Sequence, residues 1–187
     1  IRDGQFSKVS HDSSQPDYYE KGWNVLTNRE DQVRNGSLGE VAIAILSGAN
    51  TSGKSFYLES DLAIRLIAQS IGHAPVESGN LIMHNGYVFI NRSSTQTDQN
   101  LSAYTKEVRD LIGIVGGIKS GTRVYIDEGF STTSPDEQGQ LLSAVALDIV
   151  NNGGSCVLAT HNRRVIDYLN LHGAEAYHLA VSVDPNK

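Results

Sequence analysis

The chain has 187 residues, 39% of them hydrophobic, and a formal net charge of −6, with 15 Lys and Arg against 21 Asp and Glu and no basic run. That balance argues against tight nucleic-acid binding by this segment alone, because affinity for a polyanion rests on a cationic surface. The length and apolar content suffice for one sizeable core, so a single domain over residues 1–187 is expected. Cys156 is the only cysteine, which excludes an internal disulfide and suits a reducing, cytoplasmic setting, and no apolar run is long enough to cross a bilayer.

The sequence opens at Ile1 without a methionine and is read as a piece of a longer protein. Residues 1–40 are expected to supply loops and edge strands. His11 to Tyr19 is polar with Pro16 and reads as a loop, Trp23 to Thr27 as a short strand, and Asn35-Gly36 as a turn. Trp23 is expected as a core plug. Then comes the apolar run Val41-Ala42-Ile43-Ala44-Ile45-Leu46, followed by Gly48-Ala49-Asn50-Thr51-Ser52-Gly53-Lys54-Ser55. A buried strand that delivers a Gly-rich loop into a helix is the arrangement by which backbone N–H groups and a helix N-terminus hold phosphate. Gly48 and Gly53 fit places where a Cβ would crowd the nucleotide or forbid the backbone conformation. Lys54 is expected to reach the β- and γ-phosphates and the Ser55 hydroxyl to ligate Mg²⁺, with Gly48 to Phe56 as the nucleotide-contacting stretch.

Leu58, Leu62, Leu66 and Ala63, Ile67, Ile71 recur at helical spacing, with Gly72 as terminator, so a helix is predicted from Lys54 to about Ile71. Asn80 to His84 and Tyr87 to Ile90 flank Asn85-Gly86, which predicts a β-hairpin. His84 reads as a solvated strand residue. Asn91 to Asn100 is a polar loop, and Leu101, Tyr104, Val108, Leu111, Ile112 and Val115 mark an amphipathic helix. Ser102 falls at its first turn, where an ordinary cap is the plain reading and an anion site the sharper one.

Arg123-Val124-Tyr125-Ile126 is a strand ending in the adjacent acids Asp127 and Glu128. Two carboxylates at the end of a buried strand repel each other, and a Mg²⁺ nucleotide would give that placement a use. Asp127 would hold the metal through water, and Glu128 would orient or deprotonate the water that attacks the γ-phosphate. Ser134-Pro135-Asp136-Glu137 is a capping box with proline at the first helical position, opening a helix whose apolar face uses Leu141, Leu142, Val145 and Ile149. A strand from Ser155 to Thr160 stops at His161, which is placed to sense the γ-phosphate, and Asn162 caps a short helix. Ala174 to Val183 reads as a last pair of short strand segments.

The order Gly48-x-Asn50-x-x-Gly53-Lys54-Ser55, then Ser102-Ala103-Tyr104-x-x-Glu107, then Ile126-Asp127-Glu128, then Ala159-Thr160-His161 resembles the ATPase domain of the MutS family, within the ABC-type ATPases. The resemblance covers about Leu46 to His178. It departs from the family's usual pattern at Ala49, Thr51-Ser52, Leu101 and Thr132, and the chain stops before the family's final strand. It implies an α/β fold of the P-loop NTPase type, a mostly parallel sheet flanked by helices, to which the N-terminal region and the Asn85-Gly86 hairpin are expected from their turn signals to add an antiparallel edge. It implies Mg²⁺-dependent ATP hydrolysis, with Lys54, Glu128 and His161 as catalytic residues and Ser55 and Asp127 as metal ligands. It further implies a homodimer in which Ser102 of one subunit touches the ATP of the other, and DNA held by domains outside this chain, in mismatch repair or recombination control, with no membrane partner. The alternatives are another ABC-type ATPase, SMC-like or transporter-associated, or an ATP-binding interaction module with little turnover.

Overall fold

The computed structural model describes residues 6–49, 51–91, 103–130 and 133–181. The chain forms two compact units, one from Ile1–Glu40 and Ser55–Met83, the other from Val41–Lys54 and His84–Lys187.

The second unit is built on five parallel strands: β3 (Ile43–Ser47), β6 (Gly86–Asn91), β7 (Thr122–Asp127), β8 (Ser155–Ala159) and β9 (Tyr177–Ala180), in the order β6-β7-β8-β3-β9. The sheet is wound with α2 (Ala103–Gly116), α3 (Pro135–Asn151) and α4 (Arg164–Leu171). One core joins Ile43 and Ile45, Val124 and Ile126, and Cys156 and Leu158 to Leu111 and Val115 of α2, Leu142, Val145 and Ile149 of α3, and Val165 and Leu169 of α4. The alternate strand residues Ala44, Leu46, Tyr125, Val157 and Ala159 are buried too. Burial on both faces is why these strands read as continuous apolar runs rather than as alternating ones. The start of α3 follows its sequence: Ser134 is the cap, its Oγ accepting from the Glu137 N–H, and Pro135 is the first helical residue. Glu137 in turn accepts from the hydroxyls of Thr133 and Ser134. These donors, Thr133 first, hold its carboxyl below the ordinary range.

The first unit holds two short antiparallel pairs, β1 (Ser7–Lys8) with β4 (His73–Ala74) and β2 (Tyr18–Glu20) with β5 (Ser78–Asn80). Its helix α1 spans Lys54–Ile71 as predicted and contributes Ile64 and Ala68 to a core with Val9, Tyr19, Ala74, Val76 and Leu81. Trp23 is in the interior, as expected, 4% exposed, with Phe6 edge-on and the Arg34 guanidinium 5.4 Å from its ring.

Several expectations are corrected. Asn85-Gly86 does not turn a hairpin: β6 begins at Gly86 and runs parallel to β7, while β5 pairs with β2 instead. The turn chemistry of Asn85 is used to fasten the start of β6, its N–H donating to Gly121 O and its Nδ2 to Ser120 O, both at 2.8 Å. Trp23 to Thr27 is a turn rather than a strand, closed by Asn24, which accepts from the Leu26 N–H. Asn35 sits in a bridge with Gly22 rather than at a hairpin turn, and the end of the expected 11–19 loop is strand β2. His84 lies outside any strand, its ring edge-on to Tyr87. Within Ala174 to Val181 one strand, β9, forms, parallel to β3. On α1 the buried stripe is Leu58, Asp61, Ile64, Arg65 and Ala68, whereas Leu66 and Ile71 are 45% and 61% exposed. The stripe is rotated because Arg65 is buried as an ion pair, Nη1 and Nη2 donating to the two oxygens of Asp17 at 3.1 and 2.7 Å and Nε to Asp61 at 3.1 Å. Asn50, Ser102, Thr132 and the 92–101 stretch lie outside the described residues.

Candidate functional site

Three neighbouring parallel strands end at one edge of the sheet. Leu46 of β3 and Asp127 of β7 both stand level with Ala159 of β8. The ladder runs one residue further: Glu128 N donates to Ala159 O and Thr160 N to Leu46 O, both at 3.0 Å. The loops beginning at Gly48, Glu128 and Thr160 therefore leave side by side at the carboxyl ends of the strands, where open α/β sheets bind their ligands.

The loop from Gly48 is tightly fitted. A Cβ at Gly48 would lie 2.5 Å from the Val181 carbonyl oxygen and 2.6 Å from Ser52 Oγ, whereas at Gly53 nothing lies within 4 Å and the requirement is a φ of +92°. Thr51 also adopts a left-handed conformation, at φ 80°. Ser52 N donates to Ala49 O at 3.1 Å. Lys54 is only 5% exposed, and its Nζ donates back to the carbonyls of Gly48 and Ala49 at 2.9 and 3.0 Å. Ser55 and Phe56 follow in the first turn of α1.

Glu128 lies with its Oε1 3.7 Å from Lys54 Nζ and 3.7 Å from His161 Nδ1. Neither contact is a hydrogen bond. A carboxylate, an ammonium and an imidazole, which the sequence predicted separately, thus converge, with Glu128 27% and His161 55% exposed at the side chain. Glu128 and Phe130 both have left-handed backbone, φ 51° and 56°, a conformation uncommon outside glycine and frequent at functional sites. Next to it, Asp127 is 6% exposed, and its Oδ1 is buried with no hydrogen-bond partner. A buried carboxylate oxygen without a donor is costly, so Asp127 is the side chain here suited to a cation. Among the described residues no group of three or more His, Cys, Asp and Glu gathers. A metal at Asp127 would complete its shell from hydroxyl, water and phosphate oxygens, as Mg²⁺ does.

Three residues support the site, of which the sequence singled out Asn162 alone, as a helix cap. Glu107 Oε1 accepts from the Phe130 N–H at 2.5 Å. Gln138 Nε2 donates to the Gly129 carbonyl at 2.8 Å, and its Oε1 accepts from Asn162 Nδ2 at 3.0 Å. Asn162 N donates to Thr160 Oγ1 at 3.0 Å, and Asn162 Oδ1 accepts from Arg164 N, the first residue of α4, at 3.1 Å, while Arg163 rather than the expected Asn162 holds the cap position, without a side-chain cap bond. Glu107 stood in the quoted Ser-x-aromatic-x-x-Glu pattern without a role; Gln138 had no sequence signal.

No family model matches the chain. Among curated proteins it is similar to the endonuclease MutS2 of Halalkalibacterium halodurans, 28% identical over 125 residues, and to that of Clostridioides difficile, 27% identical over 125 residues; each match covers 66% of this chain and 16% of the relative. The endonuclease MutS2 of Lactiplantibacillus plantarum is 30% identical over 117 residues, 62% of this chain and 15% of the relative. The chain thus spans about a sixth of the length of the curated relatives it matches. No helix of the described residues is long and apolar enough to cross a membrane.

Proposed function

We propose that this chain binds ATP with Mg²⁺ and hydrolyses it, as the ATPase part of a MutS-like protein in DNA repair or recombination control. The observation that carries the reading is the convergence of Lys54, Glu128 and His161 at the ends of adjacent parallel strands, with the fitted loop 48–54 alongside. The loop's N–H groups and Lys54 bind the phosphates, and the N-terminus of α1 adds its positive end. The ammonium of Lys54 would exchange the Gly48 and Ala49 carbonyls for phosphate oxygens. Asp127, with its partnerless oxygen, and the hydroxyl of Ser55 are the residues to hold the metal. Mg²⁺, when bound, neutralises charge on the phosphate oxygens. Glu128 takes the proton of the attacking water, and the bond from that water to the γ-phosphorus forms as the bond to the bridging oxygen breaks, releasing ADP and phosphate. His161 contacts the γ-phosphate and orients the water.

Ser102 completes the site of a second copy, so turnover is coupled to a homodimer, and alternation between ATP-bound and ADP-bound dimers switches the grip on DNA. DNA itself is held by other parts of the longer protein, in keeping with the net charge of −6. Nuclease activity, which the relatives' name carries, is assigned to no residue here. The test is ATP binding by Lys54→Ala in calorimetry, checked for folding by circular dichroism. Binding should vanish with the spectrum unchanged; retained micromolar affinity would overturn the reading.

A further inference from the structure

The turn Glu128-Gly129-Phe130 does not hold itself. Two of its residues have left-handed backbone, at φ 51° and 56°, each of which costs about 1–2 kcal/mol in a residue with a Cβ. A Cβ at Gly129 would meet Leu142 Cδ2 at 3.2 Å and Ile126 Cγ2 at 3.4 Å, so the turn is pressed against the core. Two side chains from different helices grip its backbone. Glu107 of α2 accepts from the Phe130 N–H at 2.5 Å, and Gln138 of α3, 5% exposed, donates to the Gly129 carbonyl at 2.8 Å. The Phe130 ring is 1% exposed, which anchors the end of the turn. Gln138 also bonds Asn162, the residue after His161. The two loops that aim Glu128 and His161 are thereby tied to one amide.

We propose that Glu107 and Gln138 are positioning residues for ATP hydrolysis: they fix the strained turn so that the Glu128 carboxylate stands 3.7 Å from both Lys54 and His161. This rests on the ATPase reading above. Their hydrogen bonds go to the 129–130 turn and to Asn162, so their loss should leave nucleotide binding alone and slow the chemical step, because a water held about 1 Å out of place can cost 10²-fold. A carboxylate is not required at position 107. Gln there keeps an oxygen that can accept from Phe130 N–H, whereas Ala removes it.

The test compares wild type, Glu107→Ala, Glu107→Gln and Gln138→Ala in the full-length protein, with ATP affinity by calorimetry and kcat by phosphate release. Glu107→Ala and Gln138→Ala should each lose at least tenfold in kcat with ATP affinity within about twofold of wild type, and Glu107→Gln should recover most of the rate. Should Glu107→Ala fail to fold, Gln138→Ala carries the same comparison. Wild-type kcat in folded Ala variants, or equal losses in affinity and rate, would overturn the positioning role while leaving the ATPase reading standing. A Glu107→Gln protein as slow as Glu107→Ala would overturn the hydrogen-bond account of position 107. Wild type that binds no ATP would overturn the ATPase reading and this inference with it.

Discussion

Gly48→Ala and Gly53→Ala perturb the same loop for different reasons, and that difference can be measured. At Gly48 the added methyl would sit 2.5 Å from the Val181 carbonyl oxygen, 2.6 Å from Ser52 Oγ and 3.3 Å from Ser52 Cβ. The carbonyl is main chain just beyond β9, whose next link is Val181 N donating to Ser47 O at 2.7 Å. It cannot swing aside as a flexible side chain could, so the loop must move. Overpacking of this kind costs about 1–3 kcal/mol, and displacement of N–H groups that must converge on a phosphate should weaken ATP binding by tenfold or more, about 1.4 kcal/mol. At Gly53 there is open space and the penalty is the φ of +92° alone, about 1–2 kcal/mol. Urea unfolding and calorimetric titration with ATP, run on both variants, should show a lowered urea midpoint in each and the tenfold or greater loss of affinity in Gly48→Ala, where the loop is displaced. Gly48→Ala with wild-type midpoint and wild-type affinity would refute the steric argument and leave the loop without its claimed fit.

Other outcomes follow from the packing. Arg65→Ala should lower stability by about 3–5 kcal/mol, since it strands the buried carboxylates of Asp17 and Asp61 that Arg65 pairs; a urea midpoint unchanged within error would show that the cluster is not holding the first unit. Ser134→Ala should cost about 1 kcal/mol through the lost cap of α3, read from the same unfolding curve, and an unchanged curve would contradict the capping geometry. Burial pushes the Cys156 thiol up to about 12, the nearby Arg123 opposing in part. In the pH window above 9 the unfolded chain releases a proton that the folded thiol keeps, so this residue's contribution to stability is level below about pH 9 and falls from there towards 12. Native protein should therefore resist alkylation by iodoacetamide at pH 8 and react only on unfolding, and rapid labelling of the folded chain would contradict its placement.

What was legible in the sequence was whatever a local pattern encodes. Strand β3 into the Gly48 loop into α1, the acidic end of β7, and the Ser134 cap of α3 all announce themselves within a few residues, because strand burial, left-handed glycine and capping are local chemistry. Partnership between distant segments was not legible. Asn85-Gly86 looked like a hairpin because turn propensity says nothing of which strand lies alongside; β7 took β6 in parallel instead. The burial of Arg65 on α1 had no sign in the sequence, because its two carboxylate partners come from one helical turn away and from 48 residues away. The same limit applied at the site. Lys54, Glu128 and His161 could be named from motifs, but their meeting depends on strand order, and the support from Glu107 and Gln138 depends on helices packing where no pattern predicts.

The central claim is tested most directly by following one equivalent of radiolabelled ATP on Glu128→Gln in a single-turnover experiment with Mg²⁺. The account predicts that the variant binds ATP about as tightly as wild type and keeps it intact, with phosphate release slowed on the order of 10²- to 10⁴-fold, because Gln fills the place between Lys54 and His161 but cannot take a proton. Phosphate release at the wild-type rate would contradict it, and Glu128 would not be the base.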